Sequence, residues 1–140
     1  MTETECVKLF DDWSRAVSSG DPDAVLALYA PDAVLIPTLS NRVRSTPEAI
    51  RDYFVHFAGR RPVGRLEEHH VRLFEGFAVN SGRYAFTFPD GEVVHARYTF
   101  LYRREGGRWL IIEHHSSLLP EGGSEGETGR SRPEGVSPSA

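Results

Sequence analysis

The chain has one cysteine, Cys6, and one methionine in 140 residues. A single cysteine excludes an internal disulfide framework. Cys6 falls on a predicted helix, where a small apolar filler is its simplest role. No apolar run approaches the roughly 20 residues needed to span a bilayer, and no secretory signal pattern opens the chain. A cytoplasmic location with no membrane partner is the resulting expectation. Neither sign of charge dominates: 16 Lys+Arg stand against 20 Asp+Glu, a formal net charge of −4. The charges are interspersed, and the absence of a basic stripe argues against nucleic acid as a partner. The glycine-rich loop and catalytic-loop signatures of protein kinases are missing, as is the nucleophile elbow of serine hydrolases.

The sequence is rich in material for one core. Apolar residues make up 39%, and 2 Trp, 5 Tyr and 8 Phe supply the large side chains. That suits a single domain over 1–120. From Glu121 the composition turns to Gly, Ser, Glu, Pro and Arg. Such a segment cannot bury enough surface to offset its ordering entropy, so 121–140 is expected to be a disordered tail.

Helical periods come first. Cys6, Phe10, Trp13 and Val17 fall on one helix face, with Thr2 and Glu5 as a capping box and Gly20 as the stop. Asp21-Pro22 restarts a short helix with Val25, Leu28 and Tyr29 on its apolar side, ended by Pro31. A third helix begins at Thr46-Pro47 and carries Ile50, Tyr53, Phe54 and Phe57. Short strands lie between, at 33–37 and at 42–44. Strand alternation then occupies 66–75, 77–88, 92–104 and 108–118. Gly76, Pro89-Asp90-Gly91 and Gly106-Gly107 mark the turns. The order ααβαββββ predicts an α+β fold in which three N-terminal helices are segregated from an antiparallel sheet.

Parity assigns faces within the strands. On the last strand Leu110, Ile112, His114 and Ser116 share one face, and Trp109, Ile111, Glu113, His115 and Ser117 the other. Both faces of the sheet carry large apolar groups, which a solvated face would not. One face must cover the helices. The other, with Tyr84 and Phe86 or with Trp109, Ile111 and His115, is expected to cover a second copy of the chain, giving a homodimer or larger ring.

Polar residues on apolar strands are the candidate site. Arg83 stands among aromatic and small residues. A buried guanidinium cannot shed its charge and needs an anion, whereas a salt bridge at a surface or interface is the plainer alternative. His114 and His115 are adjacent, so a regular strand points them to opposite faces and they cannot chelate one ion. His69 and His70 fail likewise, and no metal is expected. One histidine of the 114/115 pair should face the core and bond a serine, tyrosine or carboxylate. No aspartate occupies a core-facing strand position, so the usual carboxylate base is missing. An enzyme would have to rely on His114 with Tyr98.

The order of elements resembles the nuclear transport factor 2-like cone, which implies a curled antiparallel sheet wrapped around the three helices. Phe10-x-x-Trp13-x-x-Ala16-x-x-x-Gly20-Asp21 resembles that superfamily's first-helix phrase, and Tyr29-Ala30-Pro31-Asp32-Ala33-Val34 its helix-to-strand phrase. Gly107-Arg108-Trp109-Leu110-Ile111-Ile112-x-His114-His115-Ser116-Ser117-x-x-Pro120 is more specific. It resembles the association domain of calcium/calmodulin-dependent protein kinase II and its stand-alone bacterial relatives. The resemblance implies self-association and a ligand pocket in the cone, with neither kinase activity nor calmodulin binding. In that family, strand arginines line the pocket. Arg83 aligns near one of them, while Phe100 and Ser116 stand where two others would be. The implied protein binds a small molecule, expected to be a carboxylate, without a cofactor. Trp13 and Tyr53 would wall the pocket, Arg83 would neutralise the ligand, and Tyr98, His114 and Ser116 would orient it. The alternatives are a small isomerase, cyclase or dehydratase using His114, and a purely structural oligomerisation hub.

Overall fold

The structure is a computed structural model that describes residues 1–38 and 40–121. The tail expected over 121–140 therefore lies, apart from Glu121, outside the described residues. Helix α1 spans Glu3–Ser18, and its N-terminus is closed by the expected reciprocal cap. Thr2 Oγ1 accepts from the Glu5 N–H at 3.1 Å, and Glu5 Oε1 accepts from the Thr2 N–H at 2.7 Å. Two orphan donors of the first turn are thereby satisfied. Cys6, Phe10, Trp13 and Val17 are all buried. Full burial of side chains of this kind contributes about 1.5–3 kcal/mol each.

Helix α2 is only Pro22–Leu26, capped by Asp21. The expected helical stretch to Tyr29 is instead the start of strand β1, Tyr29–Ile36. Sheet pairing outcompetes the last helical turn: the Ile111 N–H donates to the Leu28 carbonyl at 2.9 Å, and Tyr29 pairs with Ile111. Pro31 lies in the break of register between Tyr29 and Val34, where it removes no ladder bond. Helix α3, Pro47–Phe57, starts at the Thr46 cap and buries Ile50, Phe54 and Phe57. The strand expected at 42–44 reduces to one bridge, Leu35 to Arg44.

Four further strands follow: β2 (Val63–Phe74), β3 (Phe77–Thr87), β4 (Val93–Glu105) and β5 (Arg108–Leu118). The curled, unclosed sheet runs β1-β5-β4-β3-β2. The antiparallel expectation holds for β2 through β5, but β1 joins β5 in parallel, so the sheet is mixed. A parallel partner needs a long connection, and here α3 and the whole β2–β4 meander provide it.

Tyr84, Phe86, Tyr98, Phe100 and Tyr102 face inward and pack in one cluster with Trp13, Phe10 and Phe54. Trp13 lies parallel to Tyr84 (6°, centroids 6.3 Å apart) and edge-on to Phe100 at 5.4 Å. Gly82 pairs with His69 and lies against the β2 backbone. A Cβ there would lie 2.0 Å from the Glu68 carbonyl oxygen, so only glycine fits. The adjoining pairing skips Glu67, a bulge that bends β2 around the helices.

A second bulge overturns the parity expected for β5. Leu101 pairs with Glu113 but Tyr102 pairs with Ile111, leaving Ile112 as the extra residue. His114 and Ile111 therefore both point inward, and both are buried in the core. Trp109 packs against the same cluster rather than sharing an outer face with His115.

Candidate functional site

A cleft opens between the inner sheet face, α3 and the end of β1. Its walls are mainly Trp13, Leu35, Tyr53, Phe54, Phe86 and Leu118, with Thr38, Tyr84, His114 and Ser116 as the polar members. Among the described residues, no Asp, Glu, Lys or Arg lines it. The space is about 400 Å³ counting its open mouth. It is a narrow slot, and Tyr53 and Leu118 at its rim are only half-buried.

The polar groups behind the slot form one chain of hydrogen bonds. The Trp13 indole N–H meets the Tyr29 hydroxyl at 3.1 Å. That hydroxyl lies 2.8 Å from His114 Nδ1, and the Tyr84 hydroxyl 3.2 Å from His114 Nε2. The Tyr84 hydroxyl donates to Ser116 Oγ at 2.7 Å, and Thr38 Oγ1 lies 2.8 Å from Ser116 Oγ. The His114 ring stacks on Phe100 at 4.1 Å.

Trp13 sets the direction of this chain. Indole can only donate, so Tyr29 must accept from it. If His114 also donated to Tyr29 from Nδ1, the Tyr29 proton would be buried without an acceptor. That would cost about 1–3 kcal/mol. Tyr29 therefore donates to Nδ1, Nε2–H donates to Tyr84, and Tyr84 donates to Ser116. His114 is the neutral, Nε2-protonated tautomer. Burial pushes its pKa down from 6.5 to about 3, with His115 adding to the shift. Burial pushes the Tyr29 and Tyr84 phenols well up, so both keep the protons they donate.

Of the residues expected at the site, Trp13, Tyr53, His114 and Ser116 line the slot. Arg83 does not. It alternates with Tyr84 and lies on the outer face, where Nε donates to Glu68 Oε1 at 3.2 Å. The plainer reading of Arg83, a salt bridge, is the one the geometry gives. Tyr98 is also outside the slot, and its hydroxyl donates to Asn80 Oδ1 at 2.8 Å. His114 and Tyr98 thus belong to separate hydrogen-bond groups. Tyr84, Phe86 and Ile111, expected at an interface, are buried in the core. His115 alone of that set is exposed, paired in register with Thr99.

Sequence reasoning missed Thr38 and Arg44. Thr38 follows β1 in a loop, where no periodicity assigns a face. Arg44 is buried, donating to the Ala49 carbonyl (3.0 Å), Asp52 (3.1 Å) and Ser40 (3.3 Å), and its guanidinium lies over the Tyr53 ring at 5.8 Å. The described residues contain no group of three or more His, Cys, Asp or Glu side chains able to hold a metal ion. Among the described residues, no helix is long and apolar enough to cross a membrane.

The family description "Calcium/calmodulin dependent protein kinase II association domain" matches residues 2–120. The chain belongs to this association-domain family. Among solved structures it is similar to a Xanthomonas campestris protein provisionally described as such an association domain. That pair shares 47% identity over 84% of this chain and 87% of the other, with a TM-score of 0.80. It also resembles a nuclear transport factor 2-like protein of unknown function from Pseudomonas putida KT2440. Here identity is 26% over 82% of this chain and 84% of the other, with a TM-score of 0.73. A Parabacteroides distasonis protein provisionally described as a ketosteroid isomerase shares the fold. It has 21% identity over 81% of this chain and 85% of the other, with a TM-score of 0.66. No protein of the curated set matches. The association-domain chain is thus a member of the nuclear transport factor 2-like superfamily.

Proposed function

We propose that this association-domain chain is a self-associating protein whose cone binds a small, flat, largely apolar molecule without transforming it. The observation that carries the proposal is the slot itself, walled by aromatic and aliphatic side chains and floored by the hydroxyls of Thr38 and Ser116. Apolar walls with a few placed polar groups are the usual make-up of a small-molecule site. The slot is narrow, so a ligand enters as the half-buried Tyr53 and Leu118 side chains yield. A carboxylate ligand would find no cation in the slot walls, because Arg83 is on the outer face with Glu68. A neutral ligand fits these walls better.

The enzyme reading loses its base. His114 Nδ1 accepts from Tyr29 inside the core, Nε2 carries the proton, and the ring resists protonation. A general base needs a lone pair within reach of substrate. Self-association is the reading carried by the family's description together with the outer sheet face. Phe74 and Phe77 are 58% and 41% exposed there, paired across the β2–β3 hairpin. Val79 pairs with Leu101 on the same face, giving an apolar stripe suited to a second copy.

Saturation-transfer NMR with small neutral aromatic fragments tests the binding half. Fragments should bind the native protein, and Val94→Phe, which fills the slot from its lining, should abolish the signal while the fold persists. Equal signals from the two proteins would place the fragments elsewhere and refute the site.

A further inference from the structure

We infer that the slot is polarised to receive a hydrogen-bond acceptor, a carbonyl or ether oxygen on an otherwise apolar neutral molecule. The inference rests on the small-molecule reading above and specifies its ligand class. It follows from counting protons along the chain that Trp13 anchors. The Tyr84 proton occupies one lone pair of Ser116 Oγ. Ser116 and Thr38 hold one hydroxyl proton each, and a single one is used in the bond between them. Whichever of the two donates in that bond, one O–H is left over. No described residue accepts it, and both hydroxyls line the slot. The slot therefore offers one free donor, at the Thr38–Ser116 pair, in a mainly apolar wall.

Ligand classes separate on this basis. A neutral acceptor gains the spare O–H and keeps its apolar contacts. A hydrocarbon of the same shape leaves the donor unpaired, which lowers its affinity. A carboxylate or ammonium loses its hydration to walls without a counter-charge, and one hydroxyl does not offset that loss. The polarity originates at Trp13, four hydrogen bonds from the Ser116 hydroxyl. It would reverse only if His114 carried its proton on Nδ1.

Two measurements on the native protein test the inference. NMR titration compares acetophenone with α-methylstyrene, which replaces C=O by C=CH₂ in the same shape, and with benzoate. Acetophenone should bind about 3–10-fold tighter than α-methylstyrene, the yield of one net hydrogen bond, and benzoate should be the weakest. The ring ¹⁵N shifts of His114 should identify Nε2 as the protonated nitrogen. Equal affinity for acetophenone and α-methylstyrene, tighter binding of benzoate, or a proton on Nδ1 would overturn the inference while leaving a binding slot in place. Failure of all three probes to bind would overturn the small-molecule reading with it.

Discussion

Replacing His114 by phenylalanine should flatten the acid side of the stability curve. In the unfolded chain the imidazole titrates near its ordinary 6.5, and in the fold burial holds it down at about 3. Between those values the unfolded state carries a proton that the folded state lacks. Stability is then complete above pH 6.5 and falls as pH drops toward 3. The slope is about 1.4 kcal/mol per pH unit, so going from pH 6.5 to pH 5 costs the native protein about 2 kcal/mol. Phenylalanine keeps the ring stacked on Phe100 but leaves the Tyr29 hydroxyl without its acceptor. That defect costs about 1–3 kcal/mol at every pH. Asp23, Asp32 and Glu68, whose carboxyls are held low by cationic partners, titrate in both proteins and cancel in the difference. Urea unfolding followed by Trp fluorescence at pH 7, 6 and 5 reads both quantities. The native protein should lead at pH 7, and its lead should shrink by about 2 kcal/mol at pH 5. Parallel curves would show that His114 is not a buried neutral imidazole, and the direction assigned to the hydrogen-bond chain would fall with it.

Three further outcomes follow from the geometry. Gly82→Ala drives a Cβ toward the Glu68 carbonyl and should lower stability by about 2 kcal/mol or more in the same urea assay; a neutral result would mean β2 and β3 separate easily at that point. Arg83→Ala removes the partly exposed pair with Glu68, so stability should change by about 1 kcal/mol or less and acetophenone affinity not at all; lost affinity would return Arg83 to the site. Leu101→Glu puts a charge on the outer face beside Val79 and should dissociate the oligomer in sedimentation equilibrium, whereas an unchanged mass would move the interface elsewhere.

Much of the fold is legible in the chain because it is written locally. The Thr2–Glu5 cap, the Asp21 and Thr46 N-caps and the buried stripe through Cys6, Phe10, Trp13 and Val17 depend on neighbours a few residues apart. Alternation likewise sorted Tyr84 and Phe86 from Arg83. It does not say which set faces the helices, because both faces carry apolar groups, and so it puts the aromatic pair at an interface and Arg83 in the cone. The bulge at Ile112 is a long-range event, set by how β4 and β5 meet, and it turned Ile111 and Trp109 inward against simple parity. The parallel seat of β1 beside β5 is non-local in the same way. His114 and Ser116 were legible as polar groups on an apolar strand. Their partners Tyr29 and Thr38 come from the neighbouring strand β1 and the loop after it, about 80 residues away in sequence, with separations of 85 and 78.

Native mass spectrometry of the freshly purified protein, before and after denaturation, tests whether the cone of a self-associated chain holds a neutral ligand. It reads self-association and any retained molecule in one experiment. A defined oligomer that releases a small neutral molecule bearing a carbonyl or ether oxygen when it unfolds is expected. A monomer with no added mass would refute both self-association and ligand binding, and an oligomer releasing a charged carboxylate would refute the polarity assigned to the slot.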